Sequence, residues 1–187
     1  MRIASALPGQ KSPGWLLRAA LCLVLVHVPP ALAQQAADAS VKAAYLYNFL
    51  PYVEWPAASL PAGEQPLVVG VAGAEALRHE LKAVVASRHV RGHPIAVRAL
   101  AETDSLDGLH AVFVGSDANQ GRWLERLRGR PLLVITDGAP GWEAGGMLNF
   151  VPVRGRIRFE AAPAVAERAG LKLGSRLLGV AERVATP

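Results

Sequence analysis

Three arginines near the C-terminus have the spacing of an anion-binding strand. Arg154, Arg156 and Arg158 alternate with other residues, so a β-strand would point all three side chains to one face. Guanidinium groups bind carboxylates and phosphates through paired hydrogen bonds. We therefore predict a site for an anionic ligand or an acidic partner, and we include Trp142 and Arg176 in it. The alternative is an ordinary charged outer face of a strand.

Other patterns suggest metal or catalytic chemistry but lack the necessary companions. His89 and His93 are four residues apart, yet a neighbouring glycine and proline favour a polar loop over residues 87–93, so we predict no metal site. Ser116 follows a predicted strand without the flanking glycines of a nucleophile elbow. The glycines between residues 138 and 146 lack the Gly-Lys-Ser/Thr of a phosphate loop, so we predict a flexible crossover loop there. The sequence thus predicts no catalytic residue and no cofactor, and a hydrolase using Ser116 is the weakest alternative.

Residues 41–56 form a strongly apolar segment with the periodicity of a helix. Tyr and Trp are favoured at protein interfaces, so we predict that this segment binds a partner or forms a homodimer surface. Burial inside its own domain is the alternative. Pro51 should kink or end the helix, because it removes a backbone donor. The predicted partner-binding side chains are Tyr45, Phe49, Tyr52 and Trp55.

The N-terminus is typical of an exported protein. Residues 1–33 carry basic residues without acidic ones, then a short apolar run, and end in Ala31-Leu32-Ala33, a form that signal peptidase accepts. The apolar run is about half the length of a membrane span. We predict a signal peptide cleaved after Ala33, with a retained N-terminal anchor as the alternative.

The composition of the remaining chain limits its partners. Three of the 20 basic residues but none of the 15 acidic residues lie in residues 1–33, so the rest is close to neutral. This balance and the predicted export argue against nucleic-acid binding. The only cysteine, Cys22, also lies in residues 1–33, so the exported domain cannot form a disulfide.

The elements that must position these residues alternate between strand and helix. Apolar runs bounded by turn residues predict strands at 67–72, 95–100, 111–114 and 132–136, with helices at 75–85 and around 122–127. Such alternation predicts an α/β fold with a mostly parallel mixed sheet and helices on both faces.

Both ends of this α/β region have their own predictions. Residues 34–40 are predicted to be a disordered leader, with Ser40 as a helix cap. Residues 147–153 and 156–160 are joined by Arg154-Gly155, which predicts an antiparallel hairpin. Two helices should close the chain, the last with a packing face from Leu173 to Val184.

Two separated parts of the chain resemble the YfiR-like family of periplasmic regulators. The first is the apolar helix that ends in Glu54-Trp55-Pro56. The second includes Gly145-Gly-Met-Leu-Asn-Phe150, then Arg156-Ile-Arg-Phe-Glu160, then Ala169 to Leu178. The resemblance covers nearly all of the chain after residue 40 and implies a single YfiR-like domain over residues 41–187. Ala161-Ala-Pro163 stands where many relatives have an apolar-Asn-apolar triplet.

This resemblance implies a regulator rather than an enzyme. Family members of the founding type bind the periplasmic domain of an inner-membrane diguanylate cyclase and hold it inactive, and an outer-membrane lipoprotein can sequester the regulator. We therefore expect a periplasmic protein that represses a cyclase and lowers cyclic-di-GMP signalling. The alternative is a periplasmic small-molecule-sensing module that binds an anionic or aromatic ligand near Trp142 and the arginines.

Overall fold

The computed structural model describes the backbone of residues 30–186 and the side chains of residues 34–186. By its contacts the chain divides into Met1–Ala33 and Gln34–Pro187, and the second unit is the one described below. The predicted signal peptide lies outside the described residues, apart from the backbone of residues 30–33, so its cleavage stays a prediction. In residues 30–186, no helix has both the length and the apolar character needed to cross a membrane.

Helices and short strands alternate along the described chain. The helices are α1 Pro30–Phe49, α2 Glu75–Val85, α3 Gln120–Leu127, α4 Ala139–Glu143, α5 Pro163–Arg168 and α6 Ser175–Leu178. The strands are β1 Val53–Glu54, β2 Leu67–Ala72, β3 His89–Val90, β4 His93–Ala99, β5 Ala111–Val114, β6 Leu133–Asp137, β7 Leu148–Val153, β8 Arg156–Ala161, β9 Lys172–Leu173 and β10 Arg183–Val184. Single 3₁₀ turns cover Leu50–Tyr52 and Ala57–Ser59.

The strands form one large sheet and one small one. The eight-stranded sheet has the order β10-β8-β7-β6-β5-β2-β4-β3, and its neighbours are parallel except for the pairs β7–β8 and β3–β4. β1 and β9 pair separately as an antiparallel ribbon. The predicted α/β class is confirmed, with a mostly parallel sheet and a C-terminal antiparallel hairpin formed by β7 and β8.

Helices cover both faces of this sheet. Phe150 on β7 stacks on Phe49 of α1, with ring centroids 5.8 Å apart. Its neighbour Asn149 points to the other face and bonds to Thr136, against which Gly141 of α4 packs closely. Because both faces are covered, the central strands are apolar along most of their length, and every residue of β5 is buried.

The N-terminal helix starts earlier than the sequence predicts, and it ends at the proline, several residues before Trp55, instead of continuing through the apolar segment. α1 begins at Pro30, so Gln34–Ser40 is helical and Ser40 lies inside the helix instead of capping it. These residues are mostly Ala and Gln, which have high helix propensity, and Ala39 is buried. The α-helix ends at Phe49, and Pro51 lies in the 3₁₀ turn that follows, as expected for a residue without a backbone N–H.

Three local predictions are wrong. The predicted last helix is only α6, because Gly179 follows it and the chain then pairs with β8 as β10, leaving Val180 exposed. The predicted loop at residues 87–93 contains a tight hairpin of β3 and β4. The predicted glycine loop at residues 138–146 contains the short helix α4, which starts with a proline near its N-terminus.

Candidate functional site

A row of polar side chains crosses four strands on the α4 face of the sheet. Thr136, Asn149, Glu160 and Arg183 lie opposite one another in the strand register. Thr136 Oγ1 donates to Asn149 Oδ1 at 3.0 Å, and Asn149 Nδ2 donates to Glu160 Oε2 at 3.2 Å. Arg183 Nε donates to Glu160 Oε1 at 2.8 Å. Thr136 and Asn149 are buried, so the row satisfies polar groups that would otherwise lack partners.

This polar row fixes the position of the β7–β8 hairpin and of Trp142. A one-residue shift of β7 would move Asn149 away from Glu160, so the hydrogen bonds select one register. At the outer end of the row, the Arg183 guanidinium lies over the Trp142 ring, 5.4 Å from its centroid. Trp142 is half-buried on α4 and packs on Arg183. It does not line the groove of the predicted arginine site.

The hairpin turn holds an arginine in an unusual backbone conformation. Arg154 and Gly155 both have positive φ, 50° and 74°, the pattern of a type I′ turn. An arginine there costs about 1–2 kcal/mol relative to ordinary φ, whereas Asn or Gly costs less. Arg91 has the same conformation at the β3–β4 turn, but its guanidinium donates to Val53 O at 2.8 Å. The Arg154 side chain is exposed and forms no such bond among residues 34–186, in contrast to Arg158, which pairs with Glu182.

The predicted arginine stripe lines an open groove. Arg156 and Arg158 alternate along β8 and are exposed on the same face, and Arg154 follows them into the turn. Together with Val153 and Glu182 they surround a groove of about 590 Å³. Arg158 Nε pairs with Glu182 Oε2 at 3.2 Å. Arg154 and Arg156 have no ion-pair partner within residues 34–186 and remain available to an external acid.

Arg176 lies in a different groove from the stripe. It is exposed on α6 and lines a groove of about 240 Å³ with Tyr52, Glu54 and Arg91. The structure therefore brings together one residue from each predicted site, Tyr52 from the aromatic set and Arg176 from the basic set. Sequence reasoning missed Arg91, although its Arg-Gly turn resembles the Arg154-Gly155 turn.

The predicted aromatic surface is mainly core. Phe49 and Trp55 are 1% and 6% exposed, and Trp55 Nε1 donates to His110 O at 2.9 Å. Tyr45 is half-buried against Phe49, with centroids 5.8 Å apart. Tyr52 is 40% exposed and is the member of the set most accessible to a partner. Its exposure follows from the 3₁₀ turn, which rotates Tyr52 away from the face that α1 buries.

A small cleft lies where the strand order reverses direction. The parallel strands run in the order β4-β2-β5-β6-β7, so the carboxyl ends of β2 and β5 form the position where α/β proteins often bind ligands. Lys42 of α1 crosses this cleft of about 160 Å³ and pairs with Asp137 at 2.6 Å. Ser116 is exposed here, and its hydroxyl lies 3.5 Å from the carboxylate of the adjacent Asp117. No histidine of residues 34–186 lines the cleft, so these residues offer Ser116 no imidazole base there.

The four histidines in the described part of the chain lie on the side of the sheet formed by β2, β3 and β4 and the adjoining helix α2. Val68 N–H donates to His110 Nδ1 at 3.0 Å, and burial lowers the pKa of His110, with nearby His93 lowering it further. His93 Nδ1 lies 3.0 Å from Gln65 O, while His89 is exposed on β3. Within residues 34–186, no group of three or more His, Cys, Asp or Glu side chains could hold a metal ion.

The fold and its exposed basic grooves define an α/β protein with charged surfaces suited to binding. Residues 39–182 match the model of the YfiR/HmsC-like family, and this match covers well over half of the chain. The chain belongs to the YfiR/HmsC-like family, which confirms the resemblance found in the sequence. The family is known for periplasmic regulation of diguanylate cyclases and is regulatory rather than catalytic. A comparison with curated proteins gave no match.

Sequence reasoning missed the residues that organise the hairpin. Asn149 and Glu160 were recognised only as parts of family-like segments, without their mutual hydrogen bond. Asn149 stands between Leu148 and Phe150 in an otherwise apolar strand, and a polar residue there is a signal that it needs a buried partner. Glu182 and Arg183 were assigned to a helix, which hid their pairing with β8.

Proposed function

We propose that this protein binds the periplasmic domain of an inner-membrane diguanylate cyclase and represses it. Membership of the YfiR/HmsC-like family supports the class of partner. The observation that carries the proposal for this chain is the hairpin tip. Arg154 and Arg156 are exposed and lack ion-pair partners among the described residues, and Arg154 occupies a costly backbone conformation that its own contacts do not offset. Such residues are better explained by an external partner than by stability.

Repression would follow from preferential binding. If the regulator binds the inactive conformation of the cyclase more tightly than the active one, it shifts the population toward the inactive state. A tenfold difference in affinity corresponds to about 1.4 kcal/mol. The protein would then lower cyclic-di-GMP synthesis in the cytoplasm without contact with the nucleotide. An outer-membrane lipoprotein that bound the same surface would compete with the cyclase and release it.

Charge reversal at the hairpin tip tests this function. We expect Arg154→Glu with Arg156→Glu to abolish co-purification with the cyclase and to raise cellular cyclic-di-GMP to the level of a deletion strain. The matched control is Arg128→Glu with Arg168→Glu, which changes the net charge equally at exposed arginines away from the groove. Repression that survives in the hairpin variant, at equal protein level, would refute a role of this tip in cyclase binding.

The Tyr52 groove provides a second contact to test. Tyr52→Ala should weaken the cyclase complex while leaving the melting temperature nearly unchanged, because Tyr52 is 40% exposed. Val180→Ala is the control, since Val180 is 61% exposed and lies outside the groove. An unchanged affinity of the Tyr52 variant would remove the aromatic segment from the interface.

A periplasmic small-molecule sensor is the alternative function. The unpaired guanidinium groups in the hairpin groove favour an anionic ligand over a neutral one. Trp142 would not take part directly, because it packs on Arg183 outside that groove. A screen of anionic metabolites by thermal shift would support this function if one of them stabilised the wild type but not the Arg154→Glu, Arg156→Glu variant.

A further inference from the structure

The tip of the β7–β8 hairpin extends beyond the neighbouring strands. β6 pairs with β7 only from Leu148 to Phe150, and β10 pairs with β8 only at Glu160 and Ala161. Residues 151–158 therefore have two outer edges with no paired strand among the described residues. Open strand edges present backbone groups that can pair with another chain, so proteins usually protect them.

The two outer edges of the tip differ in the backbone hydrogen-bonding groups that they expose. Phe159 O accepts a hydrogen bond from Glu182 N–H, so the Phe150–Phe159 pair points its backbone groups outward. Two residues further along, the Pro152–Ile157 pair has the same orientation. Pro152 has no N–H, which protects the β7 edge. Ile157 offers both its N–H and its C=O on the β8 edge, with no backbone partner in residues 30–186.

The charge beside this open edge indicates what can pair with it. The groove along the tip is lined by three arginines and one acid, and that acid already pairs with Arg158. A second copy of this chain would bring its own arginines against the same side chains, and like charges across strands are destabilising. An extended segment that carries Asp or Glu would instead pair with Arg154 and Arg156 through charge-assisted hydrogen bonds.

We propose that the outer edge of β8 binds an extended acidic segment of a protein partner, which adds as a strand beside Ile157. Main-chain hydrogen bonds to Ile157 provide the attachment, and the arginines select acidic side chains in the incoming strand. The proposal rests on the proposed function to the extent that this segment belongs to the periplasmic domain of the cyclase.

A peptide made of alternating Glu and Val residues is a direct probe of this edge. We expect it to slow hydrogen exchange of the Ile157 amide about tenfold or more, measured by NMR on the uniformly labelled protein. A Lys-Val peptide of equal length should have no effect. Equal protection by both peptides, protection confined to other strands, or self-association through this edge would each refute the proposal.

Two variants separate backbone pairing from side-chain contact. Ile157→Pro removes the outward N–H without breaking a bond to β7, and we expect about tenfold weaker peptide binding. Ile157→Val keeps the N–H and should bind as the wild type does. If the proline variant does not fold, protection of the Ile157 amide in the wild type tests the backbone pairing, and Arg154→Glu with Arg156→Glu tests the side-chain contacts, because both arginines are exposed. Wild-type affinity in a folded proline variant would refute strand addition at this edge, and wild-type affinity in the arginine variant would refute the selection of acidic segments.

The same variants distinguish this proposal from the proposed function. If the periplasmic domain of the cyclase binds the wild type and Ile157→Pro equally, strand addition is wrong and the proposed function stands. If the Glu-Val peptide protects Ile157 but the cyclase domain does not bind, the proposed function is wrong and the edge serves another acidic partner.

Discussion

The hydrogen bonds of the buried polar row predict how a substitution at Asn149 changes the stability of the protein. Asn149 is 1% exposed, and its side-chain amide donates to Glu160 at 3.2 Å. Asn149→Asp preserves the shape of the side chain but places a second carboxylate against Glu160, and two ionised carboxylates at this distance repel. We expect the variant to fold with a free energy of unfolding about 3 kcal/mol lower than the wild type at pH 7.

The magnitude has an upper limit set by proton binding. The folded variant can relieve the repulsion by taking up one proton, which restores a donor between the two carboxyl groups. For a carboxyl group with an ordinary pKa near 4, this uptake costs about 4 kcal/mol at pH 7 and about 1 kcal/mol at pH 5. The deficit relative to the wild type should therefore shrink by about 2–3 kcal/mol between these two pH values.

Urea unfolding at both pH values measures this deficit directly. A double-mutant cycle uses four proteins: the wild type, Asn149→Asp, Glu160→Gln and the variant with both substitutions. In the double variant the glutamine amide can donate to the new aspartate, so we expect it to regain more than half of the lost stability. A deficit that is equal at both pH values, or strictly additive effects of the two substitutions, would refute the account of the polar row.

Three further predictions follow from single residues. His110→Gln should reduce the loss of stability below about pH 6.5, because there the unfolded wild type binds a proton that burial keeps off folded His110, and urea unfolding across this pH range measures it. Arg154→Gly should raise the free energy of unfolding by about 1 kcal/mol yet weaken binding of the acidic peptide. Trp55→Ala should cost about 3–5 kcal/mol, whereas Tyr52→Ala should cost less than about 0.5 kcal/mol, both measured by urea unfolding.

Each of these three has a result that would contradict it. Parallel pH profiles for the wild type and His110→Gln would show that His110 is not held neutral by the fold. A less stable Arg154→Gly variant would show that the arginine side chain contributes more to folding than its backbone costs. Similar losses at Trp55 and Tyr52 would contradict their assignment to core and surface.

The central elements were predictable because each is specified by its own residues. β2 and α2 have the predicted bounds, and β5 and β6 differ by at most one residue at an end. Gly, Pro or polar residues stand at both ends of their apolar runs, and these local signals are sufficient to predict where each element begins and ends. The two-residue strands β1, β3, β9 and β10 were not predicted, because so short a strand is defined by its distant partner and not by its own sequence.

The candidate site was predicted in part for the same reason. The period of two correctly places Arg156 and Arg158 on one face of β8, since that geometry is local. The positions of Trp142 and Arg176 depend on which strand the C-terminal segment joins, and the sequence predicted a helix there. The aromatic residues fit both a core and an interface by composition, and only the packing against β7 and β8 shows that Phe49 is internal.

The packing of α1 also determines when this protein can finish folding. α1 is the first described element to be made, but Phe49 stacks on Phe150 and meets Phe159 edge to face, and both of these residues belong to strands near the other end of the chain. β1 likewise cannot form its strand pairing until β9 has been made. Contacts between such distant positions form late and slowly. The newly made chain therefore exposes the apolar side chains of α1 until β7 and β8 have been made, and exposed apolar surface of this kind favours aggregation.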